Sequence, residues 1–247
     1  MIILSILFFV TAILYSSVGF GGGSTYLALL LIWEIPYYIF PVIALLCNII
    51  VVSGSSINYS RAGNHNFKLL FPFLIGSVPF AFFGGTLKIE KEVFEILLFL
   101  ILSIAGILLL LNNKSYKNDY FTIKRLNFFF SFMIGSVLGL ISGVVGIGGG
   151  IFLSPILFLL RAGKPKYIVT AASLFILINS ISGILGQLSK DNIITEVLNY
   201  WYLLVAVFIG GQIGNYLNLK IFSTRVLALV TASLVLFVAV RMGIRFF

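Results

Sequence analysis

The sequence predicts an all-α polytopic membrane protein built from two inverted repeats. Three observations predict it. Apolar runs of about 20 residues recur along the chain, each long enough to cross about 30 Å of hydrocarbon. Only 9% of residues are charged, where a soluble domain carries roughly 25%. A glycine run, Gly19-Phe20-Gly21-Gly22-Gly23, returns as Gly146-Ile147-Gly148-Gly149-Gly150. The apolar runs are continuous rather than alternating, which excludes a β-barrel.

The repeat extends beyond the glycines. Pro36, Tyr38, Ile39, Ser53 and Gly54 match Pro165, Tyr167, Ile168, Ser182 and Gly183 at a constant offset, and Gly84 matches Gly214 at nearly the same one. An ordered series of this kind marks two homologous halves. Repeat 1 covers 1–111, with a glycine-broken segment at 1–33 and spans at 36–60, 69–87 and 93–111. A polar linker follows at 112–125. Repeat 2 covers 126–247, with a glycine-broken segment at 127–160 and spans at 167–188, 198–219 and 226–243.

Each glycine-broken segment allows two drawings: one long tilted crossing, or a hairpin that leaves by the side it entered. With single crossings the basic residues divide nine against seven. With hairpins they divide eleven against five, and every acid except Asp119 joins the smaller group. The positive-inside rule favours the hairpins and makes loop 112–125 cytoplasmic. Each half then makes three full crossings, so the second lies upside down relative to the first. Arg241 and Arg245 fit least well, since this drawing puts them outside.

Composition limits function. A net charge of +9 suggests nucleic acid in a soluble protein; here it reflects basic cytoplasmic loops, and the bilayer is the expected partner. Cys47 is the one cysteine, so no internal disulfide forms. The first segment lacks a basic n-region and reads as mature protein. His65, the single histidine, falls in a polar loop. No nucleophile–base set or metal-ligand cluster sits at membrane depth, so an enzyme is not expected. No Gly-Lys-Ser/Thr follows the glycines, and no strand precedes them. Phosphate-loop and dinucleotide motifs are therefore excluded, and no cofactor is expected.

Three consecutive glycines disfavour helix by roughly 1 kcal/mol each. Unwound backbone at membrane depth requires protein or a water-filled cavity around it. Helix resumes at Ser24 and Ile151, and a helix N-terminus offers free N–H groups and a partial positive charge. The expected site is therefore an anion cradle of Gly19, Gly21, Gly22, Gly23 and Ser24 with Gly146, Gly148, Gly149, Gly150 and Ile151. The competing account is close helix packing, which suits Gly76, Gly84, Gly85, Gly135, Gly139, Gly210, Gly211 and Gly214.

Asn48, Ser53, Asn179 and Ser182 are polar residues inside apolar spans and are expected to complete the cavity. Ser55 falls on the face of Asn48. Ser173, Ser180 and Gln187 recur every seven residues along one helix face. Interhelical hydrogen bonding explains such residues equally well. Glu34, Glu95 and Glu196 all fall near span ends, so a buried carboxylate proton relay is not expected.

At "GFGGGSTYLALL" and "GVVGIGGGIFLSPIL" the chain resembles the sulfite exporter TauE/SafE family of prokaryotic membrane permeases. The resemblance covers nearly the whole length. The second half fits better, because Pro155 follows its glycines where the first half has Ala28. The resemblance implies a permease or exporter of the cytoplasmic (inner) membrane for a sulfur oxyanion or organosulfonate, with the paired glycine runs at its site. Together with the residues, it leads to the expectation of a secondary transporter of a small anion working by alternating access. An anion channel with the same site, or a non-transporting membrane scaffold, stays open. The sequence leaves the oligomeric state open as well.

Overall fold

A computed structural model describes residues 1–61, 63, 66–111, 126–160, 162–163, 165–190 and 193–217, with isolated residues between 233 and 244. The linker 112–125, most of the expected span 226–243, His65, Arg161 and Lys164 lie outside the described residues.

The described residues form helices and no strands: α1 (Ile2–Val18), α2 (Gly23–Ile32), a 3-10 turn at Tyr37–Ile39, α3 (Phe40–Arg61), α4 (Phe67–Thr86), α5 (Lys91–Leu111), α6 (Phe128–Val145), α7 (Gly150–Leu159), α8 (Pro165–Gln187), α9 (Ile193–Leu198) and α10 (Trp201–Leu217).

 
The short α9 lies almost wholly between the expected spans 167–188 and 198–219, where no helix was expected. Four of these helices, within Tyr37–Asn58, Phe67–Thr86, Phe128–Val145 and Tyr167–Gln187, are long and apolar enough to cross a membrane. Asn66 and Asn127 cap α4 and α6, each accepting an N–H from the first turn at 3.2 and 2.9 Å; such a cap contributes about 1 kcal/mol.

Large apolar side chains face outward along the long helices: Ile2 and Ile6 on α1, Phe71 and Phe83 on α4, Phe129 and Val137 on α6, and Phe208 on α10. A soluble protein rarely exposes so continuous an apolar surface; lipid is the medium that suits it. Small residues line the inner contacts. A Cβ on Gly135, Gly139 or Gly143 would come within 2.0 to 2.2 Å of the carbonyl oxygens of Phe73, Ser77 and Ala81. α4 and α6 therefore touch backbone to backbone, as small-residue stripes allow in membranes.

These contacts fix the helix directions. Ascending numbers in α6 meet ascending numbers in α4, so the two run alike. α8 follows them, with Ser182 Oγ donating to the Val78 carbonyl at 2.6 Å and Gly186 against Phe82. Gly210 lies on Phe9 and Gly214 on Ile13 and Ser16, so α1 and α10 also run alike. α3 joins this second set, since Gly211 faces Val51 and Gly54 faces Asn215. The two sets run oppositely: Ser56 and Ser173 hydroxyls pair at 3.0 Å while Gly183 faces Leu45, so α3 and α8 are antiparallel.

The packing also crosses between the halves. α1 packs on α10, α6 on α4, and each of α3 and α8 on the third long helix of the other half. Neither half buries its own inner faces alone.

Candidate functional site

α1 ends at Gly19, which takes a left-handed conformation (φ 81°). Phe20 N–H then bonds back to the Tyr15 carbonyl at 3.0 Å and Gly19 N–H to Ser16 at 3.3 Å, a Schellman-type stop that needs glycine. The chain turns back rather than going on. The Phe8 and Tyr26 ring centroids are 4.8 Å apart, and the Tyr15 and Thr25 hydroxyls pair at 2.7 Å. On one straight helix Phe8 and Tyr26 would stand about 27 Å apart. α2 thus lies back along α1. α7 likewise runs against α8, with Gly150 beside Ala172 and Ile176 and Gly163 beside Tyr167. It is therefore opposed to α6.

The two glycine breaks meet. A Cβ on Gly23 would lie 2.7 Å from the Ile147 carbonyl oxygen and 2.8 Å from Asn48 Nδ2. One on Gly21 would lie 2.4 Å from Asn48 Oδ1, and one on Gly148 would lie 2.8 Å from Asn48 Nδ2 and 3.2 Å from Ser180 Oγ. Asn48 sits near the middle of α3 and is fully buried. Its Nδ2 donates to the carbonyls of Ile147 at 3.2 Å and Gly146 at 3.5 Å. One amide from the first half therefore holds the break of the second.

The backbone here is buried and unsatisfied. Gly21, Gly22, Gly23, Ser24 and Gly148, Gly149, Gly150 are all buried. Among the described residues, the N–H groups of Gly21 to Ser24 and of Gly148 to Ile151 make no backbone hydrogen bond. Ser24 Oγ, Asn48 Oδ1, Asn179 Oδ1 and Ser180 Oγ are buried without a partner. Buried polar groups are normally paired, at a cost of about 1–3 kcal/mol each when they are not. A cluster of orphaned donors at two helix N-termini is what an anion would satisfy. No group of His, Cys, Asp and Glu able to hold a metal occurs among the described residues.

The expected site residues divide. Gly21, Gly23, Ser24, Asn48, Gly148 and Gly150 gather at the meeting point. Gly22 (φ 82°) and Gly149 (φ 74°) are the left-handed N-caps of α2 and α7, packed on the rings of Tyr15 and Phe175. Gly19 is the C-cap of α1, and Gly146 is the C-cap of α6, packed against Pro41 with its carbonyl accepting from Asn48 Nδ2. Ile151 is half-buried. Asn179 is buried and its amide donates to its own helix at Phe175, 2.9 Å away. Ser53 and Ser182 are occupied elsewhere: Ser53 donates to Ile49 at 2.5 Å, and Ser182 ties α8 to α4. The interhelical account thus holds for Ser182, and also for Ser55, Ser56 and Gln187. Ser180 is at the meeting point too, and the Ile147 carbonyl joins it without having been expected there. Ser180 was visible in the sequence as the middle member of the Ser173–Ser180–Gln187 face.

Comparisons with known proteins agree in one direction. A "Probable membrane transporter protein y4hK" of Sinorhizobium fredii (strain NBRC 101917 / NGR234) is 27% identical over 234 residues, covering 94% of each chain. A "Probable membrane transporter protein YunE" of Bacillus subtilis (strain 168) is 29% identical over 106 residues, 42% of this chain and 37% of that one. No solved structure matches. A family model described as "Sulfite exporter TauE/SafE" matches residues 4–242. With its paired glycine breaks and a match running nearly end to end, the chain belongs to the sulfite exporter TauE/SafE family.

Proposed function

We propose that this protein is a secondary transporter that carries a small anion, a sulfur oxyanion or organosulfonate, by alternating access. The observation that carries the proposal is the meeting of two buried glycine breaks, just before the N-termini of α2 and α7, where Gly23 and Gly148 both lie against Asn48. Each end contributes about half a positive charge. Their unsatisfied N–H groups would hold an oxyanion without any fixed charge, which leaves it free to depart. Family membership and relatives named as membrane transporters support the transport role and fit a protein that is not an enzyme.

In this proposal the halves are inverted repeats, 1–111 and 126–247, each opening with a re-entrant hairpin and joined by the cytoplasmic linker 112–125. The antiparallel run of α1 against α6 and of α3 against α8 supports it. So does the exchange of packing partners between halves, which gives rocking of one unit against the other a natural seam. The membrane is the cytoplasmic membrane of a prokaryote. The glycine centre is closed over in this arrangement, as an occluded intermediate requires.

The test is a binding and flux series on purified protein. Sulfite, thiosulfate, sulfate, short sulfonates and carboxylates are screened for thermal stabilisation, and the binders are then assayed for counterflow in proteoliposomes. Saturable counterflow of a sulfur anion is expected. Flux that never saturates would replace the carrier by a channel. Absence of both binding and flux would leave a membrane scaffold.

A further inference from the structure

Gly21 of the first break and Gly148 of the second lie against the same two side chains. A Cβ on Gly21 would press on Asn48 Oδ1 and come within 3.1 Å of Ile176 Cγ2; one on Gly148 would lie 2.8 Å from Asn48 Nδ2 and 2.9 Å from Ile176 Cγ2. Asn48 belongs to α3 and Ile176 to α8, and both are buried. Where the breaks meet, the long helices thus contribute one amide and one aliphatic side chain. Ser180 Oγ, one turn along α8 from Ile176, stands beside Gly148.

The Asn48 amide has a fixed sense. Its Nδ2 faces the carbonyls of Ile147 and Gly146 at 3.2 and 3.5 Å. Carbonyls accept and never donate, so only the nitrogen can occupy that side. Oδ1 is left facing Gly21, fully buried and without a hydrogen-bond partner. The unpaired N–H groups of the two breaks can only donate, the unpaired Ser180 hydroxyl can do either, and Oδ1 can only accept. An anion built of oxygens alone would satisfy the donors and leave Oδ1 unpaired, with its partial negative charge turned towards theirs. A buried acceptor without a donor keeps its full desolvation cost. The centre therefore asks its ligand for a donor as well as for acceptors.

We propose that Asn48 Oδ1 selects the cargo, and that the glycine centre takes a small sulfonate with a hydroxyl on the carbon next to sulfur. The sulfonate oxygens accept from the N–H groups of the two breaks, the hydroxyl donates to Asn48 Oδ1, and the intervening carbon rests on Ile176. A proton on the sulfur oxyanion itself would supply the donor at the expense of one acceptor, and would give Ile176 nothing apolar to cover. The proposal rests on the reading of the glycine centre as an anion site, and names the feature by which that site tells one anion from another.

The experiment is a calorimetric titration of the full chain in nanodiscs with three probes. Hydroxymethanesulfonate carries the hydroxyl, ethanesulfonate has a methyl in its place, and methanesulfonate is the bare head. Hydroxymethanesulfonate is expected to bind about tenfold more tightly than ethanesulfonate, the effect of one hydrogen bond to a buried acceptor that is otherwise unpaired. In Asn48→Ser, which withdraws Oδ1, the two should bind alike, while Gly211→Ala keeps the tenfold ratio. Gly21→Ala, whose Cβ would press on Oδ1, should lower the ratio as well, and decides the matter if Asn48→Ser unfolds. Equal affinities in the wild type would overturn the donor requirement and leave the anion site standing. A ratio that persists in folded Asn48→Ser would take the acceptor role away from Asn48 and overturn the assignment. Stabilisation by sulfite with no binding of any sulfonate would overturn this proposal alone. Failure of sulfite, thiosulfate and all three sulfonates to bind would remove the glycine centre as an anion site, and the proposal with it.

Discussion

Asn48 Nδ2 lies 3.2 Å from the carbonyl oxygen of Ile147, across 99 residues of chain. It is a hydrogen bond between the two halves at the point where both backbones are unwound. Asn48→Leu removes the donor and leaves a buried carbonyl unpaired, at a cost of about 1–3 kcal/mol. Asn48→Asp keeps the shape but presents a carboxylate to any incoming anion. The expected outcome is a lowered melting temperature with Asn48→Leu and loss of anion stabilisation with both. A Asn48→Asp protein that binds the anion as wild type would remove Asn48 from the site.

Glycines in the two settings should fail differently. At Gly135 a Cβ would lie 2.2 Å from the Phe73 carbonyl, so Gly135→Ala wedges α6 from α4 and costs about 1–3 kcal/mol by overpacking. At Gly211 the nearest atom is 3.8 Å away, and Gly211→Ala should be silent. Gly148→Ala is strained by its positive φ and would fill the space beside Asn48 and Ser180. It should reduce anion binding more than melting temperature. Melting and binding measured on the same preparations separate the three, and early melting of Gly148→Ala with normal binding would make that glycine a packing device.

Topology follows from the helix directions. Tyr38, Lys88 and Lys190 share one end of the bundle, while Leu69 at the start of α4 and Gly163 lie together at the other. The native Cys47 is buried and is removed as Cys47→Ala. A membrane-impermeant thiol reagent applied to intact cells should label Lys88→Cys but not Lys68→Cys. Labelling of Lys68→Cys alone would turn the proposed orientation over.

The meeting point of the breaks is lined by glycine backbone, Asn48 and Ser180, none of which titrates. An anion crossing there without a companion moves net charge, worth about 2.3 kcal/mol per 100 mV for each elementary charge. With the inside negative, that favours export. Efflux from proteoliposomes should therefore follow a voltage set by potassium and valinomycin. Efflux that ignores voltage and tracks a pH gradient would require a proton carried on the substrate.

The sequence by itself determined the all-helical, apolar character of the chain and the two glycine breaks. These depend on local chemistry: runs of apolar side chains partition into lipid, and Gly19, Gly22, Gly146 and Gly149 stop and restart helices wherever they stand. It also marked Gly21, Gly23, Ser24, Gly148, Gly150 and Asn48 as site candidates. What it could not separate was a serine that faces the centre from one that ties two helices. Ser182 and Ser180 stand two residues apart in equally apolar surroundings, yet Ser182 reaches the Val78 carbonyl of α4 while Ser180 is left beside Gly148. Tertiary structure made that choice, because a neutral hydroxyl costs little on either face until a neighbouring helix supplies an acceptor. The same reason placed Asn48 opposite Ile147 and brought Lys88 to Lys190. Such pairings are set by how α3, α4, α6 and α8 pack across the two halves, and no local pattern in either half records the other.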